Sequence, residues 1–558
     1  MFWYEPPLPR HAEERDHPAG RHRCRIDRAP RTAFNEETRG MNLTQGLHRA
    51  QQNHPERIAT VFGDRQQTFH QMAQRVARLA GALQSLGVRA SDRVAMLALN
   101  SDRYAEYFQA VWWAGAVTNP VNTRWSVPEI VYSLADCDSQ VLIVDDQYLP
   151  LVEQIQERTR CVHTLIYAGD RATPPGMLGY EDLIADATPV EDAMRGGDAL
   201  AAILYTGGTT GFPKGVMLSH TNFWIASIAR MAEMGGQPGS ISLIATPLFH
   251  VGGAGRLVGQ SIGGNTIVIV PSFTAEGVLD AVERHGVNDL MLVPTMLQML
   301  LDHPAFERRK MATIKRISYG ASPIALPLLE RTLDLFPGVE FASAYGMTET
   351  AASVCGNPPV NHGPEARKSG LVRSVGRAGY GCEIRIVDSD GNELPRGAVG
   401  EVIIRGGCVM LGYWKKPAET AAALRDGWLH TGDGGYLDED GYLYIVDRIK
   451  DMIVTGGENV YSAEVENILA RHPAVSVCAV IGIPSRQWGE SVHAVVVLQT
   501  GSQATEEELR AHCRTALAGY KCPKSVEFRE AMPLSAAGKV VKAQLREPYW
   551  RGQERKVS

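Results

Sequence analysis

Cysteines are few and scattered: nine in 558 residues, with no C-x-x-C pair and no histidine cluster at ligand spacing. An odd count without a secretory leader fits reduced thiols in a cytoplasm and speaks against a disulfide framework or a structural zinc site. No apolar run approaches the roughly 20 residues that cross a bilayer. The expectation is a soluble cytoplasmic protein without a transmembrane segment, with peripheral membrane contact left open. Basic charge is also short, since 56 Lys and Arg against 62 Asp and Glu give a net charge of -6. That balance offers no basic face for nucleic acid, and any bound polyphosphate must be met by a few local cations.

What is present is ordinary globular composition, 44% apolar and 21% charged. The length exceeds what one compact core holds and predicts at least two domains, the first one large. Residues 1–40, rich in Pro, Arg, Glu and His without periodicity, are expected to be a disordered extension; Met41 reads as a natural second beginning. Phe69, Met72, Val76, Leu79, Leu83 and Leu86 recur at three and four and predict an amphipathic helix. Arg93 to Leu99 and Gln140 to Val144 read as strands. Ser101 is placed to cap a helix that buries Tyr104, Tyr107, Phe108, Val111 and Trp112. Repeated strand then helix predicts an α/β fold of parallel-rich sheets covered by helices.

The chemistry concentrates in Leu204 to Val216, LYTGGTTGFPKGV, delivered by the apolar run Leu200 to Leu204. Gly207, Gly208 and Gly211 let main-chain N–H groups approach an oxyanion, Thr206, Thr209 and Thr210 add hydroxyl donors, and Lys214 adds a cation. This predicts a loop wrapped around a polyphosphate. The spacing fits neither a P-loop, because Lys214 precedes Gly215 and no Ser or Thr follows at the required place, nor the dinucleotide fingerprint.

LYTGGTTGFPKGV resembles the phosphate-binding motif of the adenylate-forming superfamily, which includes acyl-CoA synthetases, peptide-synthetase adenylation domains and beetle luciferases. Further motifs of that family follow in order, so the resemblance covers most of the chain from about Met41. It implies adenine beside Gly320, Ala321 and Ser322, with Tyr345 stacking on it and Gly346, Met347 and Thr348 of YGMTET around the nucleotide. It places Asp433 on the ribose hydroxyls and Arg448 on the ribose or phosphate. A carboxylate beside a polyphosphate needs a cation between them, so Glu349, with Thr206, is expected to hold Mg2+. His250, in Phe249-His250-Val251-Gly252, is expected to shape or gate the acyl pocket. Lys539, in PLSAAGKVVK, matches the catalytic lysine; Lys539, Thr206, Glu349 and His250 form the expected catalytic set.

The resemblance also divides the chain into a large adenylation domain, residues 41–447, and a small mobile α+β domain, residues 448–558, pivoting at Lys450. Ser462 is expected to cap the first helix of the small domain. Gly456 and Gly457 would then form a channel for a thiol. The implied substrates are a small-molecule carboxylic acid, ATP with Mg2+, and coenzyme A; a homodimer is left open. Trp224 to Met231, His250 to Gly255, Ser343, Ala344 and Ala351 to Val354 are mostly small or apolar and point to a hydrophobic fatty or aryl acid over a charged one. The implied function is an AMP-forming acid:CoA ligase. Alternatives are an adenylation enzyme that loads a carrier protein, a nucleotide-binding regulator without turnover, and, more remotely, a luciferase-like monooxygenase. No carrier module follows the small domain, and the joint presence of Thr206, Lys214, Glu349, Asp433, Arg448 and Lys539 speaks against lost activity.

Overall fold

The computed structural model describes residues 40–206, 213–236, 238–535 and 538–551. The expectations for Gly207, Gly208, Thr209, Thr210 and Gly211, and for the extension before residue 40, lie outside the described residues.

The predicted stripe forms α1 (Phe69–Ser85), which buries Phe69, Met72, Val76, Leu79 and Leu83 and starts on a Thr68–Gln71 capping box. β1 (Arg93–Leu97) follows, then α2 (Asp102–Trp113), whose Tyr104 N–H donates to the Ser101 hydroxyl at 3.2 Å. α2 buries Tyr104, Tyr107, Phe108, Val111 and Trp112 as expected, and the rest of its faces as well, Asp102 and Glu106 included. Arg65 meets Asp102 at 2.8 Å and Arg75 meets Glu106 at 2.5 Å, so both carboxylates enter the interior with a partner.

Two large sheets sandwich these helices. An eight-stranded sheet has a parallel centre around β1 and carries on one side the antiparallel hairpin of β2 (Leu200–Thr206) and β3 (Lys214–Ser219), with the short strand Gly412–Tyr413 outside it at the edge. α3 (His220–Met234) and α4 (Val251–Gly263) lead into a nine-stranded sheet, in which β4 (Arg316–Gly320) and β5 (Glu340–Tyr345) run parallel. The main core joins Val94 and Leu204 of one sheet to Ile244 and Ile267 of the other through Leu79, Phe108, Phe223 and Val258. Each such side chain contributes roughly 1.5 to 3 kcal/mol by leaving water.

A third, antiparallel sheet contains β6 (Trp428–Leu437) beside β7 (Leu443–Arg448). Beyond it, a fourth sheet with flanking helices forms its own core of Ile453, Val460, Val465, Leu469 and Val480. The overall class is α/β, with parallel-rich sheets under helices and a small α+β unit at the C-terminal end. No helix among the described residues is long and apolar enough to cross a membrane.

One cap differs from expectation. The helix α5 (Ser462–Leu469) has Ser462 as its first residue, with no side-chain cap from that residue. The Asp447 carboxylate accepts from both Ser462 N–H, at 2.6 Å, and the Ser462 hydroxyl, at 2.5 Å. An anion from the preceding sheet stabilises this helix start through its free N–H groups and dipole.

Candidate active site

β4 and β5 end side by side, Gly320 opposite Ala344, and the C-terminal ends of parallel strands are where such sheets form crevices. Gly320 is required there, because an added Cβ would lie 2.6 Å from the Ala344 carbonyl oxygen. Ala321 follows at φ +67, a left-handed conformation that costs a residue bearing a Cβ. On the neighbouring strand end, the Tyr345 hydroxyl donates to Asp433 Oδ2 at 2.6 Å.

Asp433 and Arg448 are opposite one another on β6 and β7, and Arg448 Nε meets Asp433 Oδ1 at 2.6 Å. Asp433 is buried, and its main-chain N–H donates to Thr431 Oγ1 at 3.0 Å, which fixes the turn. Burial lifts the Asp433 carboxyl, against the lowering pull of Arg448 and Tyr345. Burial works against the Arg448 charge, but Asp433, Tyr345, Glu349 and Asp451 together outweigh it and the Arg448 pKa rises.

The mouth of the β2–β3 hairpin, where the sequence predicts a phosphate site, is linked to the crevice through Tyr413. Thr206 stands opposite Lys214, with its hydroxyl 3.4 Å from the Lys214 carbonyl oxygen. Lys214 Nζ lies 5.1 Å from the centre of the Tyr413 ring, and the Tyr413 hydroxyl donates to Glu349 Oε1 at 2.8 Å. Tyr413, absent from the expectations above, thus couples the hairpin to YGMTET. Glu349 is buried in the 3-10 turn Thr348–Thr350, and its carbonyl accepts Met410 N–H at 2.8 Å. Ala351 and Ala352 leave that turn at φ +50 and +93. Gly346 is compelled by the same turn, since a Cβ there would lie 2.4 Å from the Ala352 carbonyl oxygen.

Glu349 Oε2 has no hydrogen bond among the described residues, and no group of three His, Cys, Asp or Glu gathers elsewhere among them to cage a metal. One free carboxylate oxygen beside a hydroxyl suits Mg2+, which keeps several waters and takes phosphate oxygens with one or two protein ligands.

Lys539 comes from the C-terminal end of the chain. Its turn is clasped by Ser535, whose N–H donates to the Lys539 carbonyl at 2.7 Å. Two residues of the large unit hold the same turn: the Thr295 hydroxyl donates to the Gly538 carbonyl at 2.6 Å, and Arg124 Nη1 to the Ser535 carbonyl at 3.1 Å. Burial, then the charge of Arg448, pull Lys539 down to about 8, while Asp433 and Glu349 pull it up. Lys539 thus lies near enough to Arg448, Asp433 and Glu349 for their charges to act on it. His250 joins them: burial and then the Lys539 charge push it down to about 3. Its ring is neutral at pH 7, and Nδ1 accepts Gly252 N–H at 3.1 Å as the cap of α4, which leaves the proton on Nε2.

Gly456 and Gly457, at φ +62 and +86, turn the hairpin between Ile453–Thr455 and Glu458–Val460, and Gly456 N–H donates to the Trp488 carbonyl at 2.8 Å. Neither hydrogen-bonds to a crevice residue among the described ones. Lys450 is exposed, with its pKa lowered by partial desolvation and by Arg448.

A cavity of about 450 Å³ lies along α3 and α4, with Trp224, Ile228, Met231 and Ile262 among its apolar walls. Of the segments expected to line an acyl pocket, only Trp224 to Met231 contributes to this cavity. Arg230, inside one of the named segments, and Arg256 also line it; helical spacing turns both toward the space that their apolar neighbours face.

The AMP-binding enzyme family matches residues 47–414, and the AMP-binding enzyme C-terminal domain matches residues 464–539. A fatty acid–[acyl-carrier-protein] ligase of Streptomyces coeruleorubidus is 37% identical over 513 residues, 91% of this chain and 96% of the relative. A feruloyl-CoA synthase of an Amycolatopsis species is 38% identical, covering 89% of this chain and 96% of the relative. The solved o-succinylbenzoate CoA synthetase of Bacillus subtilis, in complex with its acyl-adenylate intermediate, superposes with a TM-score of 0.77 at 32% identity, over 90% of this chain and 97% of the other. The chain belongs to the AMP-binding enzyme family of the adenylate-forming superfamily, and it is an AMP-forming acid–thiol ligase.

Proposed function

We propose that the crevice activates a carboxylic acid with an apolar body, fatty or aryl, as an acyl-adenylate and then passes the acyl group to the thiol of coenzyme A. A carboxylate is a poor acylating agent because its leaving group would be oxide. In the first step a carboxylate oxygen bonds to the α-phosphorus of ATP, and the bond to the β-phosphate oxygen breaks with release of pyrophosphate. Two anions meet in that step, so positive charge at the crevice is what lowers the barrier.

In this reading Tyr345 stacks on adenine against Gly320 to Ser322, and Gly346, Met347 and Thr348 border the base. Asp433, oriented by Tyr345 and Arg448, accepts from the ribose hydroxyls. Glu349 and Thr206 hold Mg2+, which when bound neutralises phosphate charge. Lys214 and the loop after Thr206 receive the outer phosphates. Lys539, a cation at pH 7, stabilises charge at the α-phosphate, and neutral His250 borders the acyl group without competing for the anion. The single observation that carries the proposal is that Lys539, half-buried and held by Thr295 and Arg124 of the large unit, lies within the electrostatic reach of Asp433, Arg448 and Glu349.

In the second step the thiol sulfur bonds to the acyl carbon, the acyl–phosphate oxygen bond breaks, AMP leaves and the thiol proton passes to solvent. For this step residues 448–558 turn as one body about Lys450 against residues 41–447, withdrawing Lys539 and presenting Gly456 and Gly457 to the arm that bears the thiol. The setting is cytoplasmic fatty- or aromatic-acid metabolism. Pyrophosphate release with a panel of acids, with and without coenzyme A, tests the reading. Acid-dependent release and acyl-CoA formation are expected; release without any acid dependence refutes it. The similarity to a carrier-protein ligase favours one second reading, and an acyl-adenylate that ignores coenzyme A but loads a phosphopantetheinyl carrier protein would establish it.

A further inference from the structure

We propose that Cys382 and Cys408 form a thiol pair that a hydroperoxide oxidises reversibly to a disulfide, and that this disulfide slows acyl-adenylate formation. The pair lies outside every residue assigned above, and its oxidation is read by mass whether or not an acid substrate is in hand.

Both cysteines are free, and their sulfurs lie 3.1 Å apart in hydrogen-bond contact. No other two sulfurs among the described cysteines make such a contact. The third sheet brings them together across 26 positions. Cys382 opens the strand Cys382–Val387 opposite Gly406, which ends the strand Gly400–Gly406, and Cys408 follows two residues beyond. The two backbones meet closely there: an added Cβ on Gly406 would lie 2.3 Å from the Gly381 carbonyl oxygen, and Gly407 N–H donates to that carbonyl at 3.2 Å. Their surroundings differ. Cys408 is fully buried, whereas Cys382 is partly exposed. The Cys408 thiol donating to Cys382 holds Cys382 below the ordinary thiol range, against burial, and the same contact together with burial raises Cys408. Cys382 is therefore the thiolate that an oxidant reaches, and Cys408 the enclosed partner that resolves it. A third thiol, Cys355, is close enough for its charge to act on Cys408, but it is buried and no hydrogen bond joins it to either sulfur among the described residues.

In the first step the Cys382 thiolate sulfur bonds to one oxygen of the hydroperoxide. The O–O bond breaks, and the other oxygen takes up a proton and leaves as water or an alcohol. In the second, Cys408 gives up its proton and its sulfur bonds to the Cys382 sulfenic sulfur; the S–O bond breaks, and the hydroxide leaves as water with that proton. Two electrons pass from the sulfurs to the peroxide, and an external thiol returns them by exchange.

The sulfurs must close from 3.1 Å to about 2.0 Å for the bond to form, and both chains that carry them are tied to the nucleotide crevice. On the Cys408 side, Asn222 Nδ2 donates to the flanking carbonyls of Gly407, at 2.9 Å, and Val409, at 2.8 Å. Met410 N–H and the Tyr413 hydroxyl then both donate to Glu349. On the Cys382 side, Cys382 N–H donates to the Gly379 carbonyl, Gly379 N–H to the Val354 carbonyl and Val354 N–H to the Tyr345 carbonyl, at 3.0, 2.7 and 2.8 Å. Whichever chain yields, the shift falls on a segment bonded to Glu349 or leading to Tyr345. A misplacement near 1 Å at residues that position a substrate costs on the order of tenfold or more in rate.

The experiment treats the reduced full chain with graded hydrogen peroxide and follows intact mass, peptide mapping under non-reducing conditions and acid-dependent pyrophosphate release. Loss of two hydrogens with a Cys382–Cys408 cross-linked peptide is expected, together with a fall in release of about tenfold, both restored by dithiothreitol. Cys408→Ala is expected to stop at a Cys382 sulfenic acid, trapped as an adduct by a 1,3-diketone, and Cys382→Ala to keep its release under the same exposure. Absence of the cross-link, or a cross-link that joins Cys355 to either residue, overturns the pair. A disulfide that leaves release unchanged, or an equal peroxide loss in Cys382→Ala, overturns its hold on catalysis. If a variant does not fold, the wild-type cross-link and its reversal decide. Absence of acid-dependent release from the untreated protein would refute acid activation instead, and leave the cross-link to be judged by mass.

Discussion

The lowered pKa of Lys539 makes the first half-reaction sensitive to pH in a range where an ordinary lysine is not. Burial and the Arg448 charge bring Lys539 from 10.5 to about 8 in the unliganded crevice. The cationic form is the useful one, so activity is full below that value and lost as pH rises through it. At pH 9 about nine-tenths of the enzyme would carry a neutral Lys539, against roughly 3% for an unperturbed lysine. The expected result is a fall of about tenfold per pH unit above 8 in kcat/KM for acid-dependent pyrophosphate release. In kcat the limb moves to higher pH, because bound triphosphate raises the pKa of a neighbouring ammonium. The assay is coupled pyrophosphate detection between pH 6.5 and 9.5, run also on Lys539→Arg, whose guanidinium stays charged throughout. A wild-type profile flat to pH 9.5, or an alkaline limb that persists unchanged in Lys539→Arg, would refute the reasoning.

Three further outcomes follow from contacts described above. Thr295→Val removes the hydroxyl that donates to the Gly538 carbonyl; at about 1 kcal/mol for a neutral hydrogen bond, acid-dependent pyrophosphate release should fall roughly fivefold while thioester formation from supplied acyl-adenylate stays unchanged. Asp433→Asn deprives Arg448 of its carboxylate and the ribose of a charged acceptor; a loss of about 2 kcal/mol, read as an approximately 30-fold rise in the KM for ATP, is expected with little change in the KM for the acid. Phe108→Ala hollows the core between the two large sheets, where Phe108 is fully buried. A cost of about 3 to 5 kcal/mol should appear as a lower denaturation midpoint, with the crevice residues untouched.

What could be read from the sequence was whatever depends on near neighbours. The stripe of α1 and the Ser101 cap follow from spacing alone, and both are present. The order of the motifs brought Tyr345, Glu349, Asp433, Arg448 and Lys539 together before any coordinates did. The features that escaped are set by distant partners. Tyr413 reaches Glu349 across 64 positions, and nothing around it in the chain distinguishes it from an ordinary core tyrosine. Ser462 looked like a cap, but the Asp447 carboxylate, 15 positions earlier, occupies the site a cap would fill. Arg230 lies within Trp224 to Met231, a segment read along the chain as mostly apolar pocket wall. Only the placement of α4, and of Asp289 already paired with Arg256, shows that Arg230 and Arg256 line one cavity. Charge state in an interior depends on which partners are already taken, and pattern along one segment carries no record of that.

The two half-reactions of Lys539→Ala form the most direct measurement. Acyl-adenylate formation, followed as acid-dependent exchange of pyrophosphate into ATP, is expected to fall by on the order of 100-fold or more, while conversion of supplied acyl-adenylate and coenzyme A to thioester continues at the wild-type rate. An equal loss in both halves, or adenylate formation at an undiminished rate, would contradict a mechanism in which this lysine enters the nucleotide crevice for the first step alone.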